Sequence, residues 1–587
     1  MATNTRPSSW TPINPSVTSK HVLRLFRKPW PGVFGCLSIA VLALWLVQVP
    51  AAHANDACTG VPPFLLICSG DQSSGVQREG NYWVDNDPPV YNGPFSLIFL
   101  SQTNNIHPAN GSAGISLVTG SQTGEVGGIL WDDGENGSYS PISSVEYTGG
   151  FYGITTGGDY ASGIKVSNTG GTGGDGSAAL DDSNAGNGGD GGVVTVLHHS
   201  GNISTMGAVS PAIFAYSSGG NGGTGGDSIF GEGGNSGSGG VGGAVSVTVE
   251  QGDLETYQDI SSGIVAASVG GSAGDVGFCV GICVGEANVG TAQAGGTVQV
   301  TTGLSTSIST RGFRSYGILA QSKGGGGGDG GFGTLFGAAT WSSDGGGGGD
   351  GGHVIVDSNG GITTRGDNAR GIYAYSVGGG GGDGGDSIAL LAALGGDGGV
   401  AGKGGDVDVT FGAEGYSVLG TFGDKAEGIY AQSVGGGGGD GGYAAGLVSI
   451  GGKGGAAGNG GNVTVTNHGV VQTGLGGGAD DAHAIFAQSV GGGGGNGGFT
   501  FGDISLGGDG GVGGVGGEVT VTNTGRLATS GNSAAGIYAQ SVGSGGGTGG
   551  NSIAVGLPFS PVVLAVAVGG DGGKGGNRGE KVTVDSS

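Results

Sequence analysis

The feature that most constrains this chain is a long internal repeat that fills most of its length. A segment of the form Ile-x-Ala-x-Ser followed by glycine recurs seven times, beginning at Ile213, Ile264, Ile318, Ile372, Ile429, Ile485 and Ile537. A Val-x-Val segment recurs in the same phase, beginning at Val245, Val298, Val354, Val407, Val463, Val519 and Val582. Two markers with a common spacing of about 54 residues indicate one structural unit repeated in tandem, not a series of unrelated globular domains.

The pattern inside each repeat predicts an all-β fold. The Val-x-Val segments alternate apolar and polar residues as half-buried strands do, and helical spacing is absent. Short strands of this kind cannot bury a face alone, so stacking equivalent strands into a parallel β-helix (solenoid) is the physical solution. We expect roughly two turns of the solenoid per repeat, with glycines supplying positive φ at the corners.

Glycine accounts for 153 of the 587 residues, and much of it lies in blocks such as GGGGGDGG. One interpretation of these blocks is a bundle of extended polyglycine-type helices. Because each block lasts only about a dozen residues between strands, we expect mobile loops and turns instead.

The N-terminus has the order of regions found in a secretory signal. A basic stretch at 20–28 precedes an apolar run at 34–49, and Ala52-His53-Ala54 then provides a small-x-small cleavage pattern. We therefore expect three parts: a signal peptide at 1–54, an N-terminal cap with irregular first turns at 55–150, and the glycine-rich repeats at 151–587. An uncleaved signal anchor is the alternative.

Four cysteines remain after removal of the signal, in two close pairs, Cys58 with Cys68 and Cys279 with Cys283. An even number of cysteines in an exported chain favours disulfides. A zinc site is the alternative, but neither pair has the two-residue spacing of a zinc knuckle.

The charge balance excludes one class of partner. Lysine and arginine number 19 against 45 aspartates and glutamates, which gives a formal net charge of −26. A surface this acidic repels nucleic acid, so we expect no nucleic acid among its partners.

Three patterns suggest chemistry. The GGGGGD segments that end at Asp329, Asp350, Asp383 and Asp440 formally fit the start of a calcium-binding nonapeptide, although glycine occupies its apolar position. Calcium is therefore the one cofactor candidate.

Gly-Asp-Ser at Ser228 and Ser387 resembles a hydrolase nucleophile, but the same position of a later repeat reads Asn-Ser at Asn551. Arg365-Gly366-Asp367 is an integrin-type tripeptide whose occurrence by chance is the simpler explanation.

The long signal, the segment CSGDQSSGV from Cys68 and the repeated GIYAQSVGG from Gly428 resemble a glycine-rich bacterial autotransporter passenger. The resemblance spans 1–587 and implies a parallel β-helix that is exported through the periplasm by an outer-membrane translocating β-barrel. The passenger would be displayed on a Gram-negative cell or secreted from it, where a host or neighbouring cell surface is the expected contact. No barrel pattern is present in this sequence, so we expect the reading frame to continue beyond Ser587.

The function that follows from this resemblance is a structural or adhesive stalk, not an enzyme, with no catalytic residues. The alternatives are a passenger enzyme of the serine hydrolase type and a calcium-binding repeat protein.

Overall fold

The computed structural model describes residues 58–587 except 62–64, 71–75, 82–94, 103–104, 109–110, 127–132, 179–182, 232, 284–286, 336–338, 413–415, 556–564 and 577–578. For the described residues within 58–102, and for 230–231, 280–283 and 334–335, it describes the backbone only. The expected signal peptide at 1–54 lies outside the described residues. The described part is all β, without a helix, and its strands stack in parallel as in a β-helix.

The first strand column contains the Val-x-Val segments. Valines at alternate positions are buried, as in Val463–Asn467, where Val463 and Val465 are fully buried and Thr464 is half-buried. In chain order the column comprises Leu65–Gly70, Phe95–Gln102, Ser143–Thr148, Val194–Ser200, the first parts of Val245–Thr256 and Val298–Thr310, and then Val354–Ser358, Val407–Phe411, Val463–Asn467, Val519–Asn523 and Val582–Ser586.

The second column follows the first within the same sheet, because the long strands Val245–Thr256 and Val298–Thr310 run through both columns. Besides the second parts of these two strands, it comprises Ile154–Thr156, Ile203–Thr205, Gly361–Thr364, Val418–Thr421, Val470–Thr473 and Arg526–Thr529.

The third column contains the Ile-x-Ala-x-Ser segments and forms a separate sheet of ten parallel strands. These are Val76–Asn81, Ile115–Gly120, Ile164–Thr169, Ile213–Ser218, Ile264–Val269, Ile318–Lys323, Ile372–Val377, Ile429–Val434, Ile485–Val490 and Ile537–Val542.

The hydrophobic core lies between these three columns and runs along the solenoid. Ile429 pairs with Ile485 and Ala431 with Ala487, so that the same residue type lies at the same height in successive turns. The inward valines, isoleucines and alanines of all three columns form one buried cluster. Each strand pairs with the equivalent strand one full repeat away, so one repeat makes one turn of the solenoid, here called a coil. The expectation of two turns per repeat was wrong, because the rest of each repeat forms a separate extension.

That extension carries two further columns of short strands, whose small hydrophobic cluster consists of Ala389, Ala393 and Ala444. The fourth column comprises Ser228–Gly231, Cys279–Cys283, Gly333–Leu335, Ser387–Ile388, Ala444–Ala445, Thr500–Gly502 and Ser552–Ala554. The fifth comprises Ala339–Trp341, Ala392–Leu394, Val448–Ile450, Ile504–Leu506 and Val566–Val568.

Two glycine-rich blocks connect this extension to the core in each coil, and they form a hydrogen-bonded lattice. In the block at 435–442, Gly438 donates its N–H to the carbonyl of Gly493 in the next coil, at 3.0 Å. Gly439 donates to Gly399, in the second block of the preceding coil, also at 3.0 Å. The following residue, Asp440, is exposed. The expectation of mobile loops was wrong, because backbone groups enclosed in this way must find partners, and here the blocks supply them to one another.

The lattice has a period of three residues, the period of the polyproline II helix, which forms no internal backbone hydrogen bonds. Its glycines are needed for close approach of the backbone, not for unusual torsion angles. A Cβ on Gly439 would lie 1.9 Å from the carbonyl oxygen of Gly382 and 2.5 Å from its carbon. Every third position faces outward and tolerates side chains, as Gly437 illustrates, whose Cβ would meet nothing closer than 3.6 Å.

Positive φ occurs at glycines where the chain passes from the first column to the second, as expected: Gly150, Gly201, Gly252 and Gly412 have it. It also recurs once per coil at a non-glycine residue in the turn between the second and third columns, and for this turn the expectation of glycine was wrong. The residues are Tyr160, Val209, Ile260, Arg314, Asn368, Lys425, Asp481 and Ser533, with φ between 50° and 63°. A threonine at the end of each second-column strand closes the turn, as when the Thr421 hydroxyl donates to the carbonyl of Ala426 at 2.5 Å.

The strands before residue 150 belong to the same columns as those after it. Ile115–Gly120 pairs in parallel with Ile164–Thr169, and Ser143–Thr148 pairs with Val194–Ser200. Cys58–Val61 differs, because it pairs antiparallel with Leu65–Gly70 at the start of the first column. It is the one antiparallel pair among the described strands, and it covers the edge that the first parallel strand would otherwise leave open.

His198 is an internal titratable group in the first column. Its side chain is fully buried and packs against Tyr147, with ring centroids 5.3 Å apart and the ring planes tilted by 36°. Burial lowers the pKa of His198 from 6.5 to about 4, because the interior disfavours the charged imidazolium. The neighbouring His199 faces outward between Glu250 and Glu146, and hydrogen bonds to these carboxylates raise its pKa.

Acidification should therefore destabilise the fold through His198. Below pH 6.5 the unfolded chain binds a proton that the folded chain refuses until about pH 4. The free energy of unfolding should fall across this window by up to about 3 kcal/mol. His198→Phe should remove this pH-dependent component, because phenylalanine does not titrate. Phenylalanine should also fit the site, since the fully buried Phe411 occupies the equivalent position of the first column. Denaturant unfolding at several pH values measures this component.

His199→Gln is the control, because His199 changes the stability of the fold with pH in the opposite direction to His198. Its raised pKa stabilises the fold below pH 6.5, and that contribution is lost as pH rises through the folded pKa. His199→Gln should therefore make the acid loss steeper. An acid loss of equal size in the wild type and in His198→Phe would contradict the assignment.

Candidate functional site

The candidate calcium ligands Asp329, Asp383 and Asp440 lie in one column, at the outward position of the first glycine block. Each uses its carboxylate to hold the next coil. The Oδ1 atom of Asp329 accepts the backbone N–H of Asp383 at 2.8 Å, and that of Asp383 accepts the N–H of Asp440 at 2.7 Å. Asp440 in turn accepts the N–H of Asn496 at 2.7 Å. The column is thus a ladder in which a side-chain oxygen replaces the lattice carbonyl that the outward N–H lacks.

The fourth candidate, Asp350, belongs to another ladder on the second glycine block. Its Oδ1 accepts the backbone N–H of Lys403 at 2.7 Å. Asparagine serves equally well, since the Oδ1 of Asn496 accepts the N–H of Thr548 at 3.0 Å. The aspartate, asparagine and glycine pattern that suggested calcium therefore has a structural role in joining coils. Whether these residues also bind calcium stays a prediction.

Stacked carboxylates give the first ladder an electrostatic cost. Asp275 precedes Asp329 in it and accepts the backbone N–H of Asp329 at 2.9 Å. The pKa of Asp329 is raised, chiefly by partial burial and then by the charges of Asp275 and Asp383. Within the described residues, no group of three or more histidine, cysteine, aspartate or glutamate side chains is arranged to hold a metal ion.

Replacing Asp383 separates the structural role from the calcium role. Asp383→Ala should lower the free energy of unfolding by about 1 kcal/mol, because it leaves the N–H of Asp440 without its acceptor. Asp383→Asn should be neutral or stabilising, since asparagine keeps the oxygen and removes like-charge repulsion with Asp329. Thermal unfolding with calcium and with a chelator measures both variants. A calcium-dependent stabilisation of the wild type that disappears in Asp383→Asn would favour the calcium-binding repeat instead.

The serines of the two Gly-Asp-Ser segments are buried in the fourth column. Ser387 is fully buried, and its hydroxyl lies 2.6 Å from that of Thr340; Ser228 is 3% exposed. Histidine side chains form hydrogen bonds away from these two serines. His199 bonds to Glu146 and Glu250, His353 bonds to Asp408, and His468 bonds to Thr524. A serine nucleophile needs access to a substrate and a neighbouring base. Ser387 is buried, and none of the histidine hydrogen bonds given above involves it.

The Arg365-Gly366-Asp367 tripeptide lies in the turn between the second and third columns. The Oδ1 of Asp367 accepts the N–H of Asp424 at 3.1 Å, as part of another ladder. The Arg365 guanidinium lies 4.8 Å from the centre of the Phe422 ring. Both side chains therefore contact the next coil.

The two expected cysteine pairs lie in different settings, one across two paired strands and the other within the single strand Cys279–Cys283. Cys58 and Cys68 are direct partners in the antiparallel pair, but their side chains lie outside the described residues. Cys279 is disulfide-bonded. The side chain of Cys283, its expected partner, lies outside the described residues. A disulfide sulfur is not a thiolate, so Cys279 in this state is not a zinc ligand.

Outward side chains of the third column form an aromatic ladder that the sequence analysis did not single out. Successive rings have centroids 4.4–5.1 Å apart, through Tyr373, Tyr430, Phe486 and Tyr538. Arg370 lies over the rings of Tyr373 and Tyr430 and pairs with the largely buried Glu427 at 2.7 Å. The sequence feature that could have predicted this ladder is the aromatic residue that follows the isoleucine of the Ile-x-Ala-x-Ser segment in successive repeats.

Comparisons of the chain with models of protein families, with curated proteins and with solved structures found no significant match. The described part of the chain contains no helix that is long and apolar enough to cross a membrane. The class to which the chain belongs is therefore defined by its fold, an all-β protein of stacked parallel strands.

Proposed function

We propose that this protein is an exported structural or adhesive stalk, the passenger of a bacterial autotransporter, displayed on the cell surface or secreted. The observation that carries the proposal is that its polar side chains are used to join one coil to the next. The Asp383 carboxylate accepts the backbone N–H of Asp440, and the Gln432 side-chain amide donates to that of Gln488 at 2.7 Å. Both kinds of bond recur in neighbouring coils. Such bonds oppose the separation of adjacent coils, which suits a spacer that extends from a cell.

Export is supported by two independent features. The N-terminal sequence has the basic, apolar and small-residue order of a secretory signal. The disulfide at Cys279 fits an oxidising compartment, such as the periplasm or the cell exterior. We propose an outer-membrane translocating barrel as the partner in secretion and a host or neighbouring cell surface as the contact afterwards.

Adhesion through long faces fits the arrangement of the side chains better than catalysis in a pocket. The net charge of −26 keeps the chain soluble and away from nucleic acid. The outward ladders of carboxylates and of aromatic rings repeat at the spacing of the coils, so a partner with a matching repeat would gain many weak contacts at once. The passenger enzyme and the calcium-binding repeat are the alternatives.

Fractionation of Gram-negative cells that produce the protein from its complete reading frame tests the proposal. We expect the protein at the surface, where protease added to intact cells degrades it, with an N-terminus at Asn55. Retention in the cytoplasm with residues 34–49 still attached would contradict export. An esterase or protease activity that is lost in Ser387→Ala would favour the passenger enzyme.

A further inference from the structure

A surface groove crosses four successive coils near the start of the described solenoid. It has a volume of about 330 Å³, within the range of small-molecule binding sites. One wall is made of the positive-φ residues of the turns, which are Tyr160, Val209, Ile260 and Arg314. The floor includes outward residues of the third column, which are Lys165, Phe214, Val265 and Leu319.

The wall is built from residues that are poorly suited to its backbone. Val209 and Ile260 have φ of 54° and 57°, in the left-handed region that β-branched residues strongly avoid. In the coils beyond the groove, the same turn position holds Asn368, Lys425 and Asp481. Asparagine and aspartate tolerate this conformation better, so the turn itself does not require a branched apolar side chain.

The fold gains little burial in return for this strain at Ile260 and Tyr160, whereas Val209 is half-buried. Ile260 is 54% exposed and Tyr160 is 72% exposed. Backbone strain that the fold does not need is concentrated at ligand sites in proteins. The coincidence of strain, exposure and apolar character in the four coils that form the groove therefore points to a ligand.

The charges of the groove indicate what kind of ligand. Lys165 lies in the first of the four coils and Arg314 in the last, so about 14 Å separate them along the axis at the usual spacing of strands. Neither forms an ion pair within the part of the chain that the structure describes. On a chain with a net charge of −26, two cations that have no carboxylate partner beside an apolar wall form a local site for an anion, although the Arg314 guanidinium also lies 5.1 Å from the centre of the Phe313 ring.

We infer that this groove binds a small amphiphilic carboxylate, a free fatty acid of medium length, with its apolar body along Val209 and Ile260 and its carboxylate at Arg314 or Lys165. The linear extent of the groove and its mainly apolar lining fit an unbranched aliphatic body. This site is independent of the proposed stalk function, because it rests on four coils and not on export or adhesion.

Calorimetric titration of the full chain with dodecanoate, below its micellar concentration, tests the inference. We expect saturable binding at one site, weaker binding of 1-dodecanol, and no binding of butyrate. Ile260→Asn should weaken dodecanoate binding about tenfold by removing apolar contact, while the midpoint of thermal unfolding stays the same or rises. Lys425→Asn is the matched control at the same turn position outside the groove, and it should bind like the wild type.

Arg314→Gln and Lys165→Gln test the two cations without disturbing the backbone, because Arg314 is exposed and Lys165 is half-buried. At least one should weaken dodecanoate binding several-fold without changing the binding of 1-dodecanol. The inference is overturned if dodecanoate does not bind. It is also overturned if Ile260→Asn binds as tightly as the wild type, or if Lys425→Asn weakens binding to the same extent as Ile260→Asn.

Discussion

Gly439→Ala should destabilise the solenoid by about 3 kcal/mol or more, although it adds a single methyl group. The new Cβ would lie 1.9 Å from the carbonyl oxygen of Gly382, and the atoms in its way are backbone atoms of the preceding coil. A side chain could rotate aside, but this backbone is held on both sides by lattice hydrogen bonds, so the strain of overpacking cannot be relieved locally.

Gly437→Ala is the matched control, two residues away in the same block. Its Cβ would lie 3.6 Å from the nearest atom, the carbonyl oxygen of Gly493, which is ordinary van der Waals contact. Both substitutions reduce the flexibility of the unfolded chain equally, which by itself stabilises the fold by about 0.5 kcal/mol. The difference between the two variants therefore isolates the packing of the lattice.

Because solenoids can unfold in parts, the measurement should be both global and local. Urea unfolding followed by circular dichroism gives the global midpoint. Hydrogen exchange gives the local effect, and the amide of Gly455 is the most direct probe because it donates to the Gly439 carbonyl at 2.7 Å. Equal stability of the two variants would show that the glycine blocks are not closely packed.

Val465→Asp should cost about 3–5 kcal/mol, because it leaves an unpaired carboxylate in the core. Val465 is fully buried and pairs with Val409 and Val521 in the adjacent coils, both of which are also buried. No cation lies in the cluster that surrounds it. The carboxylate would have to accept a proton or open the core to water, and both responses weaken the fold.

Thr464→Asp introduces the same charge one residue earlier in the strand. Thr464 is half-buried on the outer face, where its paired neighbours are Asp408 and Thr520. We expect a loss below about 1 kcal/mol, most of it from proximity to Asp408. Similar unfolding midpoints for the two aspartate variants would mean that the inward and outward faces have been assigned the wrong way round.

The sites differ in how far the sequence could predict them. The candidate aspartates were identified correctly as a recurring feature, but their partners lie one coil away, so local sequence could not distinguish a metal ligand from an inter-coil acceptor. The groove at Ile260 left no motif, because its four wall residues, which include Tyr160 and Arg314, have nothing in common except a turn position. Only the φ angles of that position reveal that the sequence departs from what the turn prefers.

The sequence by itself determined the all-β class, the parallel stacking and the inward valines, because alternation within a strand and a constant repeat express burial directly. Tertiary structure decided that one repeat makes one coil and that the glycine blocks form a lattice. The physical reason is that glycine has no side chain to record its neighbours. Gly439 and Gly437 are identical in sequence, and only the position of Gly382 in the preceding coil makes one indispensable and the other replaceable.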